Sequence, residues 1–175
     1  MFKSFTCVLQ QDEKDCGVAC ISMILKYYKT EIPIHKLREL SGTDLEGTSA
    51  FGLKKTLEKI GFDSPAIQAD NEVWKEKELP LPLIAHVIID NSYMHYVVVH
   101  EVKGETLLIA DPAKGKVKKT FEEFSREWTG VLLLPTPKES YTPTKEKVAG
   151  LSSFLPIIWR QKGLVFHIVL ASIFI

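Results

Sequence analysis

The chain has 175 residues, 22 of them basic and 22 acidic, so its formal net charge is zero. A balanced charge exerts no general pull on a polyanion, and a nucleic acid partner is not expected. Hydrophobic residues make up 45% of the chain, enough for one domain with a real core plus a tail.

The first predicted element carries the most chemistry. From Gln10 to Cys20 the chain reads Gln-Gln-Asp-Glu-Lys-Asp-Cys-Gly-Val-Ala-Cys, an acidic segment turning into an apolar helix. With Asp15 as its cap, Cys16 takes the first helical position, where unpaired N–H groups and the helix dipole favour negative charge and lower a thiol pKa. Val18 to Tyr28 is apolar except for Ser22 and Lys26. These two share a face with Lys29, so a central helix is expected, buried except along a narrow solvated stripe. Shorter helical patterns follow over Ile34 to Ser41 and Ser49 to Ile60, the second closed by Gly61. The intervening Gly42 to Gly47 lacks phosphate-loop spacing and is expected to be a plain loop.

After Pro80 and Pro82 the pattern changes to β-branched and aromatic runs: Leu83 to Ile89, Tyr93 to Val102, Glu105 to Ala110 and Val131 to Leu134. Phe121 to Trp128 is expected to be a short helix. Helices first and strands later predict an α+β domain of residues 1–137, then a polar linker over 138–150. Residues 151–175 hold an amphipathic stretch, a basic pair at Arg160 and Lys162, and an apolar run from Gly163. That run of thirteen residues spans only about 20 Å as a helix, short of the ~30 Å of a bilayer core. The expectation is a first transmembrane helix cut short, with its basic pair on the cytoplasmic side, rather than an interfacial or buried helix. His167 counts mildly against it. The odd count of three cysteines, Cys7, Cys16 and Cys20, and the lack of a signal-like start suggest free thiols in a reducing cytosol.

A reactive cysteine needs a base. His35 falls on a short helix and His167 in the apolar tail, while His86 and His100 read as strand residues satisfied by neighbours. If Val102-Lys103-Gly104 forms a three-residue loop, Val99 faces Leu107, Val97 faces Ile109 and His95 faces Asp111. A carboxylate then lies directly across from an imidazole. In that arrangement His95 takes the Cys16 proton, Asp111 orients the ring, and the thiolate attacks a peptide carbonyl. The Cys16 backbone N–H and the amide of Gln10 or Gln11 would stabilise the oxyanion. Cys20 reads as core, Cys7 is uninformative, Asp12 and Asp15 read as helix-capping groups, and the spacing of Cys16 and Cys20 lacks the paired knuckles of a zinc site.

Gln10-x-Asp-x-x-Asp-Cys16-Gly-x-Ala-Cys, then His95-Tyr-Val-Val, then Asp111-Pro, resembles the C39 peptidase domain at the amino end of bacteriocin-processing ABC transporters. The resemblance covers about residues 5 to 135. It implies a papain-like fold, Cys16 as nucleophile, His95 as base, Asp111 as orienting acid and Gln10 as oxyanion donor, with Gln11 at a variable position. The implied substrate is a ribosomal precursor peptide cut after a double-glycine leader, and the implied partners are the remainder of a homodimeric transporter and the membrane. No cofactor or metal is implied for the peptidase domain. ATP and magnesium belong to a nucleotide-binding domain, and this chain contains no G-x-x-x-x-G-K-[ST] loop. Two other readings are a noncatalytic docking domain, which in related transporters lacks the cysteine, and a membrane-anchored hydrolase of another amide.

Overall fold

The computed structural model describes residues 5–90, 92–146, 159–163, 167 and 172. Its first helix, α1 (Cys16–Tyr27), is buried from Cys16 through Leu25. Ser22 is buried with the rest, and Lys29 lies beyond the helix in a left-handed conformation (φ 64°). The expected solvated stripe is thus reduced to Lys26. Helices α2 (Ile34–Ser41) and α3 (Ala50–Ile60) follow the predicted spans closely. The Ser49 hydroxyl caps α3 by accepting from Gly52 N at 3.1 Å, and Gly61 ends it. Gly17, the residue after Cys16, makes room for this packing: a Cβ there would lie 2.9 Å from Leu53 Cδ2 and 3.2 Å from Thr48 Cβ.

Two short strands, β1 (Phe62–Asp63) and β2 (Ala66–Gln68), precede β3 (Leu83–Ile89), β4 (Tyr93–Lys103), β5 (Thr106–Asp111) and β6 (Gly115–Thr120). The five-residue helix α4 (Phe121–Ser125) then leads to β7 (Trp128–Leu133) and β8 (Thr136–Pro137). Thr120 and Glu123 cap α4 reciprocally, at 2.8 and 3.2 Å. The predicted helix to Trp128 therefore stops early, and Trp128 belongs to the following strand. Six strands form one antiparallel sheet in the order β2-β7-β3-β4-β5-β6, while β1 pairs with β8.

Both faces of this sheet are buried, which explains the continuous apolar run Tyr96-Val-Val-Val. Ile84, Tyr96, Val98 and Ala110 pack with α1 in one core. Leu83, Ala85, Val87, Val97, Val99, Leu107 and Ile109 pack with Trp74, Phe124 and Leu132 in the other. Residues 138–145, expected as linker, also fold onto the domain. Tyr141 packs on Phe62 at 4.7 Å between ring centroids, and Thr144 N donates to Thr30 Oγ1 at 3.0 Å. The first compact unit accordingly runs to Lys145, and 146–175 form a second. In that second unit Trp159, Arg160, Lys162, Gly163, His167 and Ser172 are helical and exposed. The expected membrane segment lies largely outside the described residues. Among the described residues no helix is long and apolar enough to cross a membrane.

Candidate active site

Asp15 immediately precedes α1, as predicted, but its side chain makes no capping hydrogen bond. It is buried, and its two oxygens instead accept from Arg38 Nε at 2.7 Å and Nη2 at 2.5 Å. One oxygen also accepts from Asp12 N at 3.1 Å. The Arg38 guanidinium holds the Asp15 carboxyl below its ordinary pKa. These bonds tie α2 to the 3-10 turn Glu13–Asp15, which delivers the chain into Cys16. Upstream, Gln10 N donates to Pro112 O at 2.9 Å, which places Gln10 beside the end of β5.

His95 and Asp111 meet, but through a register different from the predicted one. Lys103 pairs with Thr106, so the loop is the two residues Gly104 and Glu105, with Gly104 left-handed (φ 56°). Such a loop alone would set His95 and Asp111 on opposite faces. The register shifts between Val99 and Glu101, a bulge at His100 that restores the parity. Val98 then pairs with Ala110, and one step further Asp111 is level with Val97, diagonal to His95. The side chains close that diagonal, with His95 Nε2 2.8 Å from Asp111 Oδ1. The same carboxylate oxygen accepts from Ala113 N at 2.8 Å.

Both groups are buried, His95 completely and Asp111 to 5% exposure. Burial alone would drive the imidazole toward neutrality. The hydrogen bond to Asp111 and the adjacent Cys16 thiol outweigh it, and the His95 pKa is raised to about 9. For Asp111, burial opposes ionisation, but the hydrogen bonds from His95 and Ala113 hold its pKa below the ordinary value. His95 Nδ1 is buried without a formed hydrogen bond, and so is Gln10 Oε1. The Cys16 thiol lies close enough to the ring to raise its pKa, without a formed hydrogen bond to it, as is common before substrate arrives.

A cavity of about 420 Å³ opens over Cys16, lined among others by Thr48, His86, Tyr93, Met94 and Tyr96. His86 is held by Thr129, whose hydroxyl lies 3.0 Å from its Nδ1 and donates to its carbonyl at 3.1 Å. Burial keeps His86 below its ordinary pKa. His100 stacks on Phe5 at 4.5 Å between centroids; both histidines are strand residues, as the sequence suggests. Cys20 is completely buried, and burial raises its pKa well above the ordinary thiol value. Cys7 is half-buried, with its sulfur 3.8 Å from Asp111 O, and burial raises its pKa as well. All three cysteines are unpaired.

The sequence pattern of the peptidase C39 family matches residues 4–140. This chain belongs to that family. It is a C39 cysteine peptidase with the papain-like fold of the group. The lactococcin-G-processing and transport ATP-binding protein LagD of Lactococcus lactis subsp. lactis is 65% identical over 161 residues, covering 92% of this chain and 23% of LagD. The mesentericin-Y105 transport/processing protein MesD of Leuconostoc mesenteroides is 48% identical over 99% of this chain and 24% of its own length. The chain thus spans about a quarter of the length of these curated relatives. Among solved structures, the peptidase domain of Streptococcus ComA, a bi-functional ABC transporter involved in a quorum-sensing pathway, superposes with a TM-score of 0.74. It is 34% identical and covers 77% of this chain and 99% of that one. A double-glycine-motif protease from an AMS/PCAT transporter, solved with its leader peptide, gives 0.69 at 33% identity over 76% of this chain and 91% of its own.

The sequence reading missed two of the groups now seen around the site. Tyr93 was hidden as a strand-initial aromatic, although it stands two residues before His95, on the same strand parity. Arg38 reaches its position through long-range packing, which leaves no local pattern.

Proposed function

We propose that this chain is the peptidase domain of a peptide-exporting ABC transporter and removes double-glycine leaders from ribosomal precursor peptides. The observation that carries this reading is the buried His95–Asp111 pair, with its free Nδ1 directed to chemistry with Cys16. An imidazolium beside the sulfur stabilises a thiolate. The thiolate attacks the carbonyl carbon at the end of the leader, and the developing oxyanion is met by the Cys16 backbone N–H and the Gln10 amide. His95 then passes its proton to the leaving amine, releasing the core peptide and leaving the leader as a thioester on Cys16. Water, deprotonated by His95, hydrolyses the thioester and regenerates the thiol. Asp111 holds the ring's Nε2–H throughout, which fixes the tautomer.

The relatives processing lactococcin G and mesentericin Y105, and the leader-bound double-glycine protease, support the substrate class. They also support a place within an ABC transporter; on our reading the domain sits at the cytosolic face of a bacterial membrane, joined to the transmembrane and ATP-binding parts of a homodimeric exporter. Precursor peptides with double-glycine leaders, incubated with the chain and weighed by mass spectrometry, should yield a leader ending in the second small residue and an intact core. Products cut elsewhere, or none, would refute the reading.

A further inference from the structure

Tyr93 contacts two of the segments that the proposed reaction needs and comes within range of the third. Its ring stacks on His95, with centroids 5.8 Å apart and planes 30° apart. Its hydroxyl donates to the Glu13 carbonyl at 3.0 Å, across a sequence separation of 80 residues, in the turn that leads into Cys16. The Gln10 side chain lies near enough to act on the same hydroxyl, without a formed hydrogen bond. The phenol therefore spans from the strand carrying the base to the turn carrying the nucleophile, and comes near the oxyanion donor on the way. The ring is 39% exposed and lines the cavity beside Cys16, while His95 beneath it has no exposure. An exposed aromatic retained in this position does little for the core: it belongs to neither of the two core clusters.

We infer that Tyr93 is a positioning residue, whose hydroxyl sets the spacing between His95 and the Cys16 turn and orients the Gln10 amide, and whose ring keeps water off the imidazole. The inference rests on the peptidase reading above and assigns the tyrosine no contact with a reacting atom. It acts through His95, Gln10 and the Glu13 carbonyl. The titratable groups facing His95 are Cys16, Asp111, His86 and Tyr93 itself, so a looser Cys16 turn removes one of the two influences that raise the imidazole pKa.

The test compares wild type, Tyr93→Phe and Tyr93→Leu on a double-glycine precursor, with activity counted per alkylatable Cys16 so that misfolded molecules drop out. Tyr93→Phe should lower kcat on the order of tenfold with KM within about twofold, since small displacements of reacting groups are costly. The basic limb of its kcat/KM profile should move to lower pH, at an unchanged melting temperature. Tyr93→Leu, which also uncovers the ring, should lower kcat further. If both variants keep the wild-type kcat and pH profile per titrated site, or lose activity only in proportion to a lowered melting temperature, the positioning role is overturned. If wild type itself leaves the precursor uncut, the peptidase reading fails instead.

Discussion

Two buried regions of the molecule are filled by different kinds of residue. In one, across the sheet from α1, Trp74, Phe124 and Trp128, whose rings contact one another at 5.0 to 6.1 Å, close over a bed of valine, leucine and isoleucine. The surroundings of Cys16 are just as well buried, yet they hold Asp15, His95 and Asp111, and both Gln10 and His95 have a polar atom with no formed bond, where the aromatic cluster has only the Trp74 Nε1 among the described residues. Burying polar groups lowers stability unless each is paired. The aromatic cluster therefore supplies stability that the site gives up, and the site uses the low dielectric to strengthen the charge interactions of a thiol, an imidazole and a carboxylate.

If that division holds, substitutions in the two regions should fail differently. Cys16→Ala should lower cleavage by about 10⁴-fold or more while the melting temperature stays near wild type. Cleavage surviving in a leader-processing assay would remove Cys16 from the mechanism. Phe124→Ala, in the aromatic cluster, should destabilise by about 3–5 kcal/mol, read from denaturant unfolding. Its folded fraction should cleave with the wild-type pH profile. A changed profile would mean that the aromatic cluster also tunes the site, and the comparison would break.

The helices and the pairing of His95 with Asp111 were legible because they rest on local periodicity and on parity. The hairpin shows how far parity goes. A three-residue loop and a two-residue loop followed by a bulge at His100 both place His95 and Asp111 on one face, so the partners could be named from sequence although the register could not. Where the pattern is polar it says little. β6, Gly115-Lys-Val-Lys-Lys-Thr, gives no strand signal because an edge strand keeps most of its lysines outward. Tyr141 looked like linker because the two aromatics it meets, Phe62 and Tyr28, lie more than 70 residues away. The Asp15–Arg38 pair is illegible for the same reason: no periodicity announces an ion pair between two elements.

Asp111→Asn should sharpen the division by altering charge and not shape. It should lower kcat/KM by about 10²-fold or more, as loss of the orienting carboxylate does in a hydrolase triad, with only a small change in unfolding free energy. An equal loss of folding would make Asp111 a structural residue. In the wild type the basic limb of kcat/KM should lie near pH 9, where His95 deprotonates, and Asp111→Asn should move it toward the ordinary imidazole value. The pair should also shape stability. The raised His95 pKa contributes fully below about 6.5 and is lost as pH rises through about 9, while the lowered Asp111 pKa contributes above about 4 and is lost as pH falls below that. Stability from the pair is thus complete between about pH 4 and 6.5. A basic limb at the same pH in both proteins would detach Asp111 from His95.

The smallest expected effect concerns the ion pair beneath the nucleophile. Arg38→Met keeps the length of the side chain and removes its charge, so Asp15 is left buried with only the Asp12 N–H as partner. Because the Arg38 side chain is itself 37% exposed, water can replace part of what is lost, and the cost should be about 1–3 kcal/mol rather than that of a fully buried pair. The lowered Asp15 pKa contributes stability above about pH 4 that fades as pH falls through the folded value. The deficit of Arg38→Met should therefore shrink in acid, where Asp15 is protonated in both proteins. A deficit equal at pH 3 and pH 7 would show that Arg38 acts by packing its methylenes against the domain. The polar groups around Cys16 would then be held in place by shape and not by charge.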